Sequence, residues 1–126
     1  MSLNKTTQPH ILVVDDDEGI LEAMRLILEE AGGYRTTLIA DSKNLDETIE
    51  HDRPNLILLD MRLSGEDGSV IAQRLKKDPL KKTIPIVMVS ANHEGERTAR
   101  NAQVEGFLAK PFELTDLLAI VAKHAV

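Results

Sequence analysis

The chain has no cysteine among its 126 residues, which removes disulfides, thiolate zinc sites and thiol catalysis and is compatible with a reducing compartment. Any metal must therefore be held by oxygen or histidine. No stretch approaches the length of a membrane span, and residues 1–9 lack the apolar core of a signal peptide, so the expectation is a soluble, cytoplasmic protein with no membrane contact. Positive charge is outnumbered: 15 Lys and Arg face 21 Asp and Glu, a formal net charge of -6. A polyanion is repelled on average, and direct nucleic-acid binding by this segment is not expected. No Gly-rich phosphate loop follows Val14, which argues against a flavin or nucleotide site.

What is present is a single-domain composition, with 42% of the residues apolar. Residues 1–9 are polar and unpatterned and are set aside as a disordered leader, leaving 10–126 as the domain. Ile11-Leu12-Val13-Val14 is short, apolar and rich in β-branched residues, which reads as a central strand that stops at Asp15-Asp16-Asp17-Glu18. Ile20, Leu21, Met24, Ile27, Leu28 and Ala31 then recur at three- and four-residue steps, the apolar face of a helix that Gly32-Gly33 should end. Tyr34 to Ala40 is a more polar strand suited to a sheet edge. Ser42 is the expected cap of a short helix carrying Leu45 and Ile49, and Pro54 closes it.

Asn55 to Leu59 is apolar throughout and shows no alternation, so it reads as a strand covered on both faces with Asp60 at its end. A helix is predicted over Glu66–Lys77, broken by Asp78-Pro79, and another buried strand over Ile84–Ser90. Glu94 to Gln103 forms helix with only Ala99 and Ala102 as apolar contacts, and should be the loosest and least stable helix. Gly106–Ala109 is a short last strand, and the final helix carries Leu114, Leu117, Leu118 and Val121 on one face. Five β and five α segments in alternation demand an α/β architecture: a parallel sheet, helices on both sides, right-handed crossovers.

That topology delivers the strand ends to one edge of one sheet, where ligands of open α/β sheets sit. Asp15, Asp16, Asp60, Ser90 and Lys110 all meet there. Taken singly, each has a plainer explanation: the acids from Asp15 to Glu18 cap a helix, Ser90 caps a strand end, Lys110 is solvated and Phe107 is core. Their joint arrival is harder to dismiss. Three carboxylates held close repel one another and raise each other's pKa, so such a surface calls for a cation or a proton. Mg²⁺ suits it, because that ion takes oxygen ligands and keeps waters. A lysine and a hydroxyl beside the metal would stabilise the charge of an in-line phosphoryl transfer onto Asp60.

Over Ile11 to Ala125 the chain resembles the receiver domain of two-component response regulators. The resemblance is carried by Val14-Asp15-Asp16, by Leu59-Asp60 with Gly68 eight residues on, by Ser90-Ala91 and by Lys110-Pro111-Phe112. It implies a flavodoxin-like fold, a doubly wound (βα)5 three-layer sandwich with a five-stranded parallel sheet in the order 2-1-3-4-5. It implies Asp60 as phosphoacceptor, Asp16, Asp60 and the Arg62 carbonyl as Mg²⁺ ligands with Asp15 acting mainly through water, and a cis Lys110-Pro111 peptide. Ser90 would be the switch hydroxyl, Lys110 the phosphoryl-binding lysine and Phe107 the aromatic that turns inward. Arg62 and Asn92 stand where family members vary, and are expected to set the phosphate lifetime. Ser64 stands where the family usually has proline, so the acceptor loop should be less stiff.

The implied partners are a sensor histidine kinase or a histidine phosphotransfer protein, and an output partner or effector domain that reads the face of the fourth helix, fifth strand and fifth helix. On this reading the chain is not an enzyme beyond its own phosphorylation and dephosphorylation. Two alternatives stay open. One is a haloacid-dehalogenase-like phosphatase with Asp15 as nucleophile, suggested by Asp15-x-Asp17 after the first strand but opposed by Glu18 and by the lack of a distal acid pair after Lys110. The other is a binding module indifferent to phosphorylation.

Overall fold

The computed structural model of the chain describes residues 8–125. Five strands build the main sheet: β1 (His10–Val14), β2 (Arg35–Ile39), β3 (Leu56–Asp60), β4 (Ile86–Ser90) and β5 (Gly106–Ala109). All neighbouring pairs are parallel, and the order is 2-1-3-4-5, as the resemblance implies. Five helices connect and follow them: α1 (Glu18–Leu26), α2 (Leu45–Asp52), α3 (Gly68–Lys77), α4 (Gly95–Asn101) and α5 (Leu114–His124).

The apolar runs become strands because both of their faces are covered. Successive side chains alternate sides, so Leu12, Val14, Ile57, Leu59, Ile86 and Met88 pack with Leu45 and Ile49 of α2, Ile71 and Leu75 of α3 and Ala99 of α4. Ile11, Val13, Leu56, Leu58, Val87 and Val89 pack on the other side with Leu21 and Met24 of α1 and with Leu117 and Val121 of α5. Each such fully buried aliphatic side chain is worth about 1.5–3 kcal/mol of transfer free energy, so the three central strands hold the sheet together. β2 is the half-exposed edge strand that its polarity predicts.

Several local expectations need correction. α3 begins at Gly68, two residues later than Glu66, because Asp67 stays extended and its Oδ1 accepts from the Ser69 N–H. Glu66 and Asp67 instead pair antiparallel with Leu63 and Arg62 in a small hairpin whose turn is Ser64-Gly65. Ser42 is no side-chain cap of α2: its hydroxyl bonds the Glu66 carboxylate, and only its carbonyl accepts, from the Leu45 N–H. The first helix leaves α-geometry at Leu26 and runs as a π-helical turn over Ile27–Ala31 before Gly33 takes a φ of 74°. α4 spans only seven residues, shorter than Glu94 to Gln103. Most of the 1–9 leader lies outside the described residues. Its last two residues touch the sheet edge, where the Pro9 carbonyl accepts from the Arg35 N–H at 3.1 Å and the Gln8 carbonyl from the Arg35 guanidinium.

Candidate functional site

The carboxyl ends of β1, β3, β4 and β5 gather at one edge of the sheet, β1 bringing two carboxylates and each of the others one polar group. Asp60 closes β3 as a buried residue, 7% exposed, flanked by β1 and β4. Asp15 and Asp16 follow β1, and Asp15 is 2% exposed. The acid run divides its labour. Asp17 caps α1 by accepting from the Gly19 and Ile20 N–H groups at 2.8 and 3.2 Å, which leaves Asp15 and Asp16 to the site. The helix-cap explanation is thus right for Asp17 and wrong for its two neighbours.

Lys110 follows β5, through a cis peptide to Pro111. Its Nζ lies 3.1 Å from Asp15 Oδ2 and 3.6 Å from Asp60 Oδ1 and so bridges the two buried carboxylates. The expectation of a merely solvated lysine fails. Asp15 Oδ1 accepts from the Asp17 N–H at 2.9 Å, and Asp60 Oδ1 from the Arg62 N–H at 3.4 Å. One ammonium does not neutralise this cluster. Burial, and after it the negative charge of Asp15, push the Asp60 carboxyl above the usual aspartate range, against the pull of Lys110 and the Arg62 N–H, with Asp16 adding a smaller upward push.

Ser90 is buried at the end of β4, and its Oγ accepts from the Asn92 N–H at 3.0 Å, so its own proton is free to donate. Asp60, Arg62, Ser90, Asn92, His93 and Lys110 line one open cavity of about 520 Å³. Phe107 is not part of that lining. It packs into the core beneath α4, where a Cβ on Gly95 would lie 2.7 Å from the ring and 3.1 Å from the Ser90 Cβ. Ring and serine therefore both crowd Gly95 in the first turn of α4, leaving no room there for a side chain.

Asp15, Asp16 and Asp60 each offer a carboxylate oxygen within 4.8 Å of the others. A set of hard oxygen donors, two buried and one exposed, fits a small divalent cation such as Mg²⁺, and its uncompensated charge favours one. Two contacts escaped sequence reasoning. Gly95 sits against Phe107, and Ser64 donates from its hydroxyl to Asp16 Oδ2 at 2.8 Å. For Ser64 the signal was available as a hydroxyl in the turn after β3, whereas nothing near Gly95 in the sequence marks it.

Comparison with known proteins gives consistent matches. The model of the response regulator receiver domain matches residues 11–122. The phosphate regulon transcriptional regulatory protein PhoB of Pseudomonas aeruginosa is 36% identical over 111 residues, covering 86% of this chain and 48% of that protein. The response regulator Rre1 of Synechocystis is 30% identical over 113 residues, 88% of this chain and 49% of that one. The chain thus spans about half the length of the curated relatives it matches. Among solved structures, a putative response regulator from Chloroflexus aurantiacus superposes with a TM-score of 0.87 at 30% identity, covering 94% of this chain and 98% of that one. The receiver domain of the sensor histidine kinase PA1611 of Pseudomonas aeruginosa, with a magnesium ion in its active-site cleft, gives 0.83 at 29% identity, with the same two coverages. The phosphatase and binding-module alternatives find no support in these matches.

Proposed function

Since the chain belongs to the response regulator receiver domain family, we propose that it is a phosphorylation switch in which Asp60 accepts a phosphoryl group from a phosphohistidine of a sensor kinase or phosphotransfer protein. The observation that carries this reading is the Lys110 ammonium held between Asp15 and Asp60 at the mouth of an open cavity.

In the transfer, an Asp60 carboxylate oxygen attacks phosphorus in line as the phosphorus–nitrogen bond breaks, and the departing imidazole keeps the bond's electron pair and takes up a proton. Asp15, Asp16, Asp60 and the Arg62 carbonyl would hold Mg²⁺, which supplies positive charge to the phosphoryl oxygens. Lys110 lies near enough to leave Asp15 for a phosphoryl oxygen, and the free Ser90 proton can donate to another. Both Ser90 and the Phe107 ring border Gly95, so a displacement of Ser90 toward the phosphoryl group would be passed to the first turn of α4. That is a route from the acceptor to the α4–β5–α5 face, where an output partner or an attached effector domain would read the state.

The experiment is intact-mass analysis after incubation with acetyl phosphate. A gain of one phosphoryl group is expected with Mg²⁺ and none with excess EDTA; no gain with Mg²⁺ counts against the reading. Arg62 and Asn92 line the same cavity as Asp60, which supports a part for them in admitting or excluding the hydrolytic water. Arg62→Ala and Asn92→Ala should each change the dephosphorylation rate severalfold, measured as loss of the phosphorylated mass with time. Unchanged decay in both removes them from that role.

A further inference from the structure

Ser64 and Gly65 form the two-residue turn of the hairpin that follows Asp60, with Gly65 at a φ of 74°. Among the described non-glycine residues only Arg53 and Gln103 have positive φ, so Ser64 keeps a negative φ, on the side of the map where proline lies, at the turn position proline favours. Ring closure there would stiffen the turn but remove a donor. In this chain the donor is used: Ser64 Oγ reaches across from the hairpin to Asp16 Oδ2 at 2.8 Å, joining residues 48 apart in sequence.

The three carboxylates differ in how they are held. Asp15 is fixed by the Asp17 N–H and by Lys110, and Asp60 by the Arg62 N–H with Lys110 nearby. Asp16 is the exposed member of the three, and among the described residues Ser64 is the only hydrogen-bond partner of its side chain. Without that bond an exposed carboxylate samples several rotamers, and the freedom is lost when a metal is bound. The hairpin itself has other ties: Ser42 bonds Glu66, and the Gly68 N–H donates to the Met61 carbonyl at 2.7 Å. The loop therefore stays in place without the hydroxyl.

We propose that Ser64 is a positioning residue for the metal site: its hydroxyl holds one oxygen of Asp16 so that the other is presented to the cation together with Asp15 and Asp60. This rests on the phosphoacceptor reading above. Hydrogen bonds that orient a ligating carboxylate are felt directly in metal affinity. In an exposed setting the expected loss is roughly three- to tenfold.

The test is Mg²⁺ titration by calorimetry, without a phosphoryl donor, on the wild type and on Ser64→Ala, Ser64→Thr and Ser64→Pro. Ser64→Ala and Ser64→Pro should both weaken binding by that factor, and Ser64→Thr should restore it. Ser64→Ala binding within twofold of the wild type overturns the proposal. So does Ser64→Pro matching the wild type, because turn stiffness and not the hydroxyl would then be what matters. A wild type that binds Mg²⁺ and gains a phosphoryl group while Ser64→Ala titrates identically sinks this inference alone. A wild type with no Mg²⁺ binding sinks the phosphoacceptor reading, and this one with it.

Discussion

Asp60→Asn gains no phosphoryl group under conditions in which the wild type gains one, yet its metal-free fold melts higher. Uptake is lost because the amide is a poor nucleophile toward phosphorus and, among the described residues, no other carboxylate is both buried at a strand end and open to the cavity. Asp15→Asn should still be phosphorylated, more slowly; a reversal of the two results would make Asp15 the acceptor. The gain in stability follows from charge. Burial and the neighbouring Asp15 raise the folded-state pKa of Asp60 above its unfolded value. A raised acid contributes stability that is fully present below the unfolded pKa and is lost as pH rises through the folded one. At neutral pH the wild type therefore carries a penalty that asparagine removes. Loss of such functional strain is worth about 1 kcal/mol, or roughly 4 °C in Tm for a domain of this size. The difference should close as pH falls below about 4, where an ordinary aspartate is itself protonated. A lower Tm for Asp60→Asn at pH 7 would contradict this account.

Gly68→Ala should be the most damaging single methyl in the chain. A Cβ there would stand 2.4 Å from the Asp60 carbonyl oxygen, 2.9 Å from the Met61 Cα and 3.1 Å from the Met61 carbonyl carbon, all of them backbone atoms. No side chain can swing aside to make room. β3 is locked between β1 and β4, and the start of α3 is fixed by the Asp67 cap and by the Gly68 N–H bond to Met61. Relief must come from moving the helix start or the acceptor's own peptide. Overpacking of this kind costs about 2–4 kcal/mol, a fall of roughly 10 °C in Tm. It should also slow phosphoryl uptake by as much as ~100-fold, because the Asp60 carboxylate is displaced from its line of attack. Gly33→Ala is the control. That residue has a φ of 74° but nothing within 4 Å of its missing Cβ, so it should lose only about 1–2 kcal/mol of left-handed backbone strain. Equal melting temperatures for the two variants would mean that the contact at Gly68 relaxes freely.

Much of this molecule was legible before any coordinates, for physical reasons that can be named. The central strands announce themselves because burial on both faces leaves no polar position from Ile11 to Val14 or from Leu56 to Leu59. Once they are strands, the parallel topology forces their carboxyl ends together, and Asp15, Asp16, Asp60, Ser90 and Lys110 follow. What stayed hidden depends on partners remote in sequence. Leu63 and Glu66 flank only a two-residue turn, yet their hairpin is tied down by Ser64 to Asp16, 48 residues away, and by Glu66 to Ser42, 24 away. The same long reach turned Ser42 from a helix cap into a brace. Within Asp15-Asp16-Asp17 the three side chains are chemically identical, and only the path of the chain after β1 decides which one caps α1 and which two join Asp60 in the carboxylate cluster. The π-helical turn at Ile27–Ala31 carries no local signal that we can identify.

The placement of β1 in the sheet also has a consequence measured in time. β1 precedes both of its sheet partners in the sequence, pairing on one edge with β2 and on the other with β3. Its partner for Ile11 on the β3 side is Leu56, so 45 residues separate the two (56 minus 11). At roughly 5–20 residues per second of translation, the β3-facing edge of β1 waits about 2–9 s for its partner. During that interval only the polar edge strand β2 is available to it, and α1, made directly after β1, is the element that can first shield Ile11 and Val13. The amphipathic first helix can thus cover one face of β1 while its other edge still waits for β3.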